Sequence, residues 1–223
     1  MKKKRKQSLG EEIANSTSHG LMAIFGLIAT ILLINKSQNV SLKIIASLIF
    51  GIGIIILYTM STLYHSLANE SAKSVFRRFD HLSIYILIGG TFAPPLLLLK
   101  GLQEPFLGIK GFIGLGLMLF IVQWILIAVG IVFKSIWVKK FVGVHVFFFL
   151  LMGWSALIFM QTLMDTSANS YLLVLLGGLA YSVGVIFFAL SRKVKYFHFI
   201  WHLFTALGTI LQFIAIYNLY DYV

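Results

Sequence analysis

Apolar residues run along this chain in long blocks, separated by short clusters of lysine, arginine, glycine and other polar residues. Seven blocks can be marked, at residues 17–34, 42–66, 80–99, 111–133, 141–163, 171–190 and 196–217. Each holds roughly 17 to 25 residues, and at 1.5 Å of rise per residue that length crosses a hydrocarbon core of about 30 Å. The pattern therefore predicts an all-α polytopic membrane protein. A basic cytoplasmic tail at 1–16 precedes a single seven-transmembrane helix bundle at 17–223. Pro94 and Pro95 remove two backbone donors inside the third block and predict a kink or an early helix end there. Gly108, Gly111, Gly114, Gly116 and the pair Gly177 and Gly178 are expected where helices approach closely.

Composition supports this picture. Of the 223 residues 59% are hydrophobic and only 11% charged, whereas a soluble domain carries about 25% charged residues. The lack of cysteine excludes disulfides, thiolate metal ligands and cysteine nucleophiles. A net charge of +11 would suit nucleic acid if it were gathered on one surface, but the basic residues sit in the short breaks between blocks. With the amino terminus inside, fourteen of the eighteen fall on the cytoplasmic side, namely Lys2, Lys3, Lys4, Arg5, Lys6, Lys73, Arg77, Arg78, Lys134, Lys139, Lys140, Arg192, Lys193 and Lys195. Only Lys36, Lys43, Lys100 and Lys110 fall outside. That asymmetry is a topology signal, giving a cytoplasmic amino terminus and an outer carboxyl terminus, and it argues against a nucleic-acid partner. The basic start resembles the opening of a signal peptide. Residues 10–18 are polar, however, and the next block is of spanning length, so the first helix is expected to be retained.

Ionisable residues within spans are expensive and mark candidate chemistry. His198 and His202, four apart in the last block, would share one helix face about 6 Å apart along the axis. Alone, such a pair is also explained as packing histidines bonded to backbone carbonyls. Placed on the topology, His65 closes the second block, Asp80 opens the third, and His19 and His145 open the first and fifth. All six histidines then share the cytoplasmic level. His65, His198 and His202 offer three neutral nitrogens, the donor set of a catalytic zinc that leaves its fourth position to water. Asp80 would hydrogen-bond that water and take its proton as a general base. Ser61, four residues before His65, would present its hydroxyl to the same water or to an oxyanion. Glu12, His19 and His145 are candidates to support the ligands, with helix capping or a snorkelling helix end as the competing reading. His81, turned about 100° from Asp80, reads as an interfacial residue.

Residues 10–20, with Glu11, Glu12, Asn15 and His19, are followed by Ser61-Thr62-Leu63-Tyr64-His65-Ser66 and by Phe79-Asp80-His81. Gly90-Thr91-Phe92-Ala93-Pro94 and His198-Phe199-Ile200-Trp201-His202 complete the series. Together these resemble the hemolysin III family, the bacterial branch of the progestin and adipoQ receptor family, in a wider group with the alkaline ceramidases. The resemblance covers essentially the whole chain. It implies seven helices in a bacterial plasma membrane and one zinc near the cytoplasmic side. His65, His198 and His202 would be its ligands, with Asp80 and Ser61 supporting the metal-bound water. Phe92-Ala93-Pro94-Pro95 departs from the commoner Thr-Tyr-Thr-Pro ending, which bears only on the third helix.

Relatives are linked to hydrolysis of lipid amides such as ceramide, so the expected function is a metal-dependent hydrolase of membrane lipid amides or esters, partnered by membrane lipids. The alternatives are a non-enzymatic receptor or regulator of membrane lipid homeostasis, and a cytolysin. Seven retained spans weigh against the last, because such a chain has no evident water-soluble form to reach another membrane.

Overall fold

The computed structural model describes residues 5–137 and 141–223. Lys2, Lys3, Lys4, Lys139 and Lys140, counted above for orientation, lie outside the described residues. Eight α-helices follow one another: α1 (Leu9–Lys36), α2 (Ser41–Ser66), α3 (Glu70–Leu98), α4 (Leu115–Ile136), α5 (Val142–Trp154), α6 (Met160–Thr166), α7 (Ala168–Leu190) and α8 (Phe197–Leu219). Among the described residues six of them are long and apolar enough to cross a membrane, and α5 with α6 forms a pair bent by 51°, a broken span or a re-entrant loop. The chain is a multi-pass membrane protein with six crossings, or the expected seven where the bent pair counts as one.

Several boundaries move, each for a local reason. The first helix begins at Leu9, not at residue 17, because Ser8 and Glu11 form a reciprocal capping box. Much of the predicted tail is therefore the first two turns of α1. The third helix begins at Glu70, where the Asn69 side chain accepts from the Ala72 N–H, so Asp80 lies well inside a helix instead of opening one. That helix also runs through Pro94 and Pro95 to Leu98, overturning the early end. The fifth crossing breaks around Phe159, after a 3-10 turn at Ser155–Ile158.

Polarity is inverted relative to a soluble fold. On α1 the buried stripe starts with Glu11, Asn15 and His19 and continues with Met22, Gly26, Ala29 and Leu33. Leu21, Ile24, Leu27, Ile28 and Ile31 of the same helix face outward. Water gives no force to pack apolar helices in lipid, so close backbone contact supplies it. A Cβ on Gly90 of α3 would lie 2.9 Å from the Ile49 carbonyl oxygen of α2, and one on Gly53 would lie 3.1 Å from the Ile86 carbonyl oxygen. Gly116 and Gly177 are close approaches of the same kind, whereas Gly114 meets the loop backbone at Gln103 and Gly178 has only ordinary contact with Trp154. Gly108 and Gly111 are not close approaches: both adopt positive φ in the loop before α4, with nothing near the Cβ position. The main core lies among α1, α2, α3 and α8, around Phe50, Ile54, Tyr58, Leu87 and Ile216. α1 packs on α2, α2 on α3 and α7 on α8, and α1 meets α8 to bring the two ends of the chain together.

Candidate metal centre

The junction of α1, α2, α3 and α8 gathers eight polar residues of the spans. Ser61 and His65 come from the last turns of α2, His198 and His202 from the first turns of α8, Asp80 from α3, and Glu12, Asn15 and His19 from α1. One ring nitrogen from each of His65, His198 and His202 lies within 4.8 Å of the other two. Four nitrogens about 2.0 to 2.1 Å from one zinc stand roughly 3.3 Å apart, so modest ring rotations close the difference.

His65 shows how the cluster is poised. Its Nδ1 lies 2.6 Å from Oε2 of Glu12, whose Oε1 accepts from Lys73 Nζ at 2.7 Å. The Asn15 amide is farther from the same Nδ1, at 3.5 Å. The short contact assigns the proton to Nδ1, facing the carboxylate, and leaves the lone pair on Nε2. Nε2 of His65, Nε2 of His198 and both nitrogens of His202 are buried without a hydrogen-bond partner among the described residues. Orphaned polar atoms in an apolar interior cost free energy, about 1–3 kcal/mol each. A shared cation satisfies three at once, and a carboxylate behind a ligating imidazole is the usual support for one. The donor set therefore fits a divalent ion that prefers nitrogen, with a coordination position to spare.

Asp80 is buried beside Ser61 and within electrostatic reach of His65. His19 stacks on His202, ring centroids 3.6 Å apart and planes 11° apart, with its edge toward Tyr58. His145 stands elsewhere: its Nδ1 lies 2.9 Å from the Tyr85 hydroxyl of α3. Asn15 and Lys73 escaped the sequence reading. The signal for Asn15 was the four-residue spacing Glu11, Asn15, His19 within a spanning helix, which draws one polar stripe.

Behind His198, Glu11 fixes the approach to α8. Its carboxylate accepts from two Arg5 nitrogens at 2.7 and 2.8 Å, from the Ser8 N–H at 2.8 Å and from the Tyr196 N–H at 2.9 Å. The same ion pair pushes the Arg5 guanidinium further above its ordinary value. Tyr196 itself takes a left-handed conformation, φ 61°, at the start of α8. A cavity of about 190 Å³ begins beside Asp80 and His19 and runs down the bundle between α3, α5, α7 and α8. Phe92, Phe149, Leu150, Trp154, Val185 and Ile216 are among its walls.

Residues 7–213 match the family described as Haemolysin-III related. The chain is 36% identical over 212 residues to the Hemolysin-3 homolog of Bacillus subtilis (strain 168), covering 94% of each chain. It is 34% identical over 213 residues to Hemolysin-3 of Bacillus cereus, covering 94% of this chain and 92% of that one. The human monocyte to macrophage differentiation factor is 28% identical over 213 residues, with 93% and 84% covered.

Proposed function

This chain belongs to the Haemolysin-III related family, and from that premise and the geometry of its histidines we propose a zinc-dependent hydrolase of membrane lipid amides or esters. The observation that carries the reading is the convergence of three imidazole nitrogens at the helix junction that also holds the buried Asp80 carboxylate, which itself lines the neighbouring cavity. His65, His198 and His202 would hold one zinc, and Glu12 would fix the tautomer of His65. Zinc in such a site supplies electrophilic polarisation of a carbonyl and lowers the pKa of water. Asp80 takes the proton of the attacking water and returns it to the leaving amine or alkoxide, so that the lipid amide or ester becomes an acid and an amine or alcohol. Ser61 donates its hydroxyl hydrogen to the carbonyl oxygen as negative charge builds there. The cavity admits the acyl chain from the bilayer side and keeps bulk water from the reacting bond.

Elemental analysis of the detergent-purified protein, alongside turnover of a ceramide with a fluorescent acyl chain, tests this. Native protein is expected to hold about one zinc per chain, and His202→Ala to lose both metal and turnover. Normal turnover by metal-free His202→Ala would reject it. A regulator of membrane lipid homeostasis has one feature in its favour: the ligands come from α2 and α8, so a metal would also tie the two ends of the bundle. If Asp80→Asn kept zinc and full function in cells, that reading would replace the hydrolase.

A further inference from the structure

The cavity has a second polar region that the proposed hydrolysis does not use. Past Asp80 its wall presents His81 from α3, Lys134 from the last turn of α4 and His145 from α5. Lys134 is only 3% exposed. Arg77 stands one turn before His81 on the same face of α3, just beyond the residues that line the cavity. His81 is within electrostatic reach of Lys134, Arg77 and His145, and His145 within reach of Lys134. The Arg77 Nε and the His81 Nδ1 are shielded from solvent without a hydrogen-bond partner among the described residues. The Tyr85 hydroxyl and Nδ1 of His145 share a hydrogen bond of 2.9 Å, and in the tautomer where the hydroxyl donates, the ring proton of His145 sits on Nε2. Asp80 is the one acidic residue among the described lining. Elsewhere the lining is mostly apolar, with Leu163, Ile216 and Leu219 beside the polar Ser170 and Gln212.

We propose that this cavity binds a lipid carrying a phosphate headgroup, with Arg77, His81, Lys134 and His145 as the phosphate site and the mostly apolar remainder as the chain site. The proposal rests on the lipid-hydrolase reading and names its substrate class. Donors drawn from three helices suit a tetrahedral anion with several acceptor oxygens better than a planar carboxylate, which two parallel donors satisfy. Asp80 and His81 both line the cavity, so a lipid held by its phosphate at His81 shares that space with the proposed general base.

The test uses the full chain in a maltoside detergent and reads tryptophan fluorescence, because Trp154 and Trp201 line the cavity. Dodecyl phosphate is expected to bind about tenfold or more tightly than dodecanol, the scale of a charge-assisted hydrogen bond. Lys134→Gln and Arg77→Met should each shrink that preference to about threefold or less while dodecanol binds as before, and Lys134→Arg should keep it. His202→Ala should also keep it, so loss of the hydrolase reading would leave this result intact. Equal binding of the phosphate and the alcohol by native protein would overturn the proposal. So would a preference that survives both charge-removing variants, or equal binding of dodecanoate and dodecyl phosphate. Displacement of dodecyl phosphate by millimolar inorganic phosphate would mark a free-anion site and equally overturn it.

Discussion

Replacing Glu11 by alanine should loosen the entry to the last helix and lower the stability of the whole bundle. Glu11 is fully buried, and its carboxylate is the meeting point of the amino-terminal segment, α1 and the turn before α8. Removing it strands the Ser8 and Tyr196 N–H groups, each bonded to a charged acceptor and worth about 1–2 kcal/mol. The Arg5 side chain is 24% exposed and can turn to water, so its ion pair adds only about 1 kcal/mol. The total is about 3–5 kcal/mol. For a chain of this size each kcal/mol moves the melting temperature by about 2–4 °C, which gives a fall of about 6–20 °C. Glu11→Gln keeps a carbonyl for Tyr196 and loses the ion pair, so about 2–6 °C is expected. Fluorescence-detected size-exclusion after heating in detergent measures both. If Glu11→Ala melted within about 2 °C of the native protein, or above Glu11→Gln, the carboxylate would not be the tie described here.

Three further outcomes follow from the same structure. Glu12→Gln removes the charge facing His65 Nδ1 and should weaken zinc binding about 10- to 100-fold in a chelator competition; unchanged affinity would mean the carboxylate does not support the ligand. Gly51→Ala would drive a methyl into Thr30, whose Cβ and Cγ2 lie 2.8 Å from the new atom, and should cost about 1–3 kcal/mol. Adding Thr30→Ala should restore most of that loss in the same melting assay, and failure to restore it would count against the α1–α2 contact. Because the chain has no cysteine, single cysteines report topology directly. Ser8→Cys should react with an impermeant maleimide only after cells are opened and Gln103→Cys in intact cells, whereas the reverse pattern would invert the expected orientation.

The crossings were legible because lipid demands long apolar blocks and basic residues sort to one side. The bend after Trp154 was not, since residues 154–159 are mostly apolar and carry no proline to mark it. The ends of α1 and α3 were missed for the opposite reason: Ser8 with Glu11, and Asn69, continue each helix into polar sequence where hydropathy falls silent. Spacing alone put His198 with His202 and Ser61 with His65 on shared faces. The meeting of α2 with α8 depends on helix rotation and packing, which periodicity does not encode. Nor does the level of a residue in the membrane fix its direction, and so His145, at the expected depth, joins Tyr85.

The order of synthesis gives the histidine cluster one more property. One of its imidazoles belongs to the second helix made and two to the last, with more than a hundred residues between them. A ribosome part-way through the message holds a product that cannot grip an ion, however much of the bundle has already inserted. A chain cut short before α8 would carry His65 without His198 and His202, so the three-imidazole cluster comes into being only once α8 has been made and packed against α2.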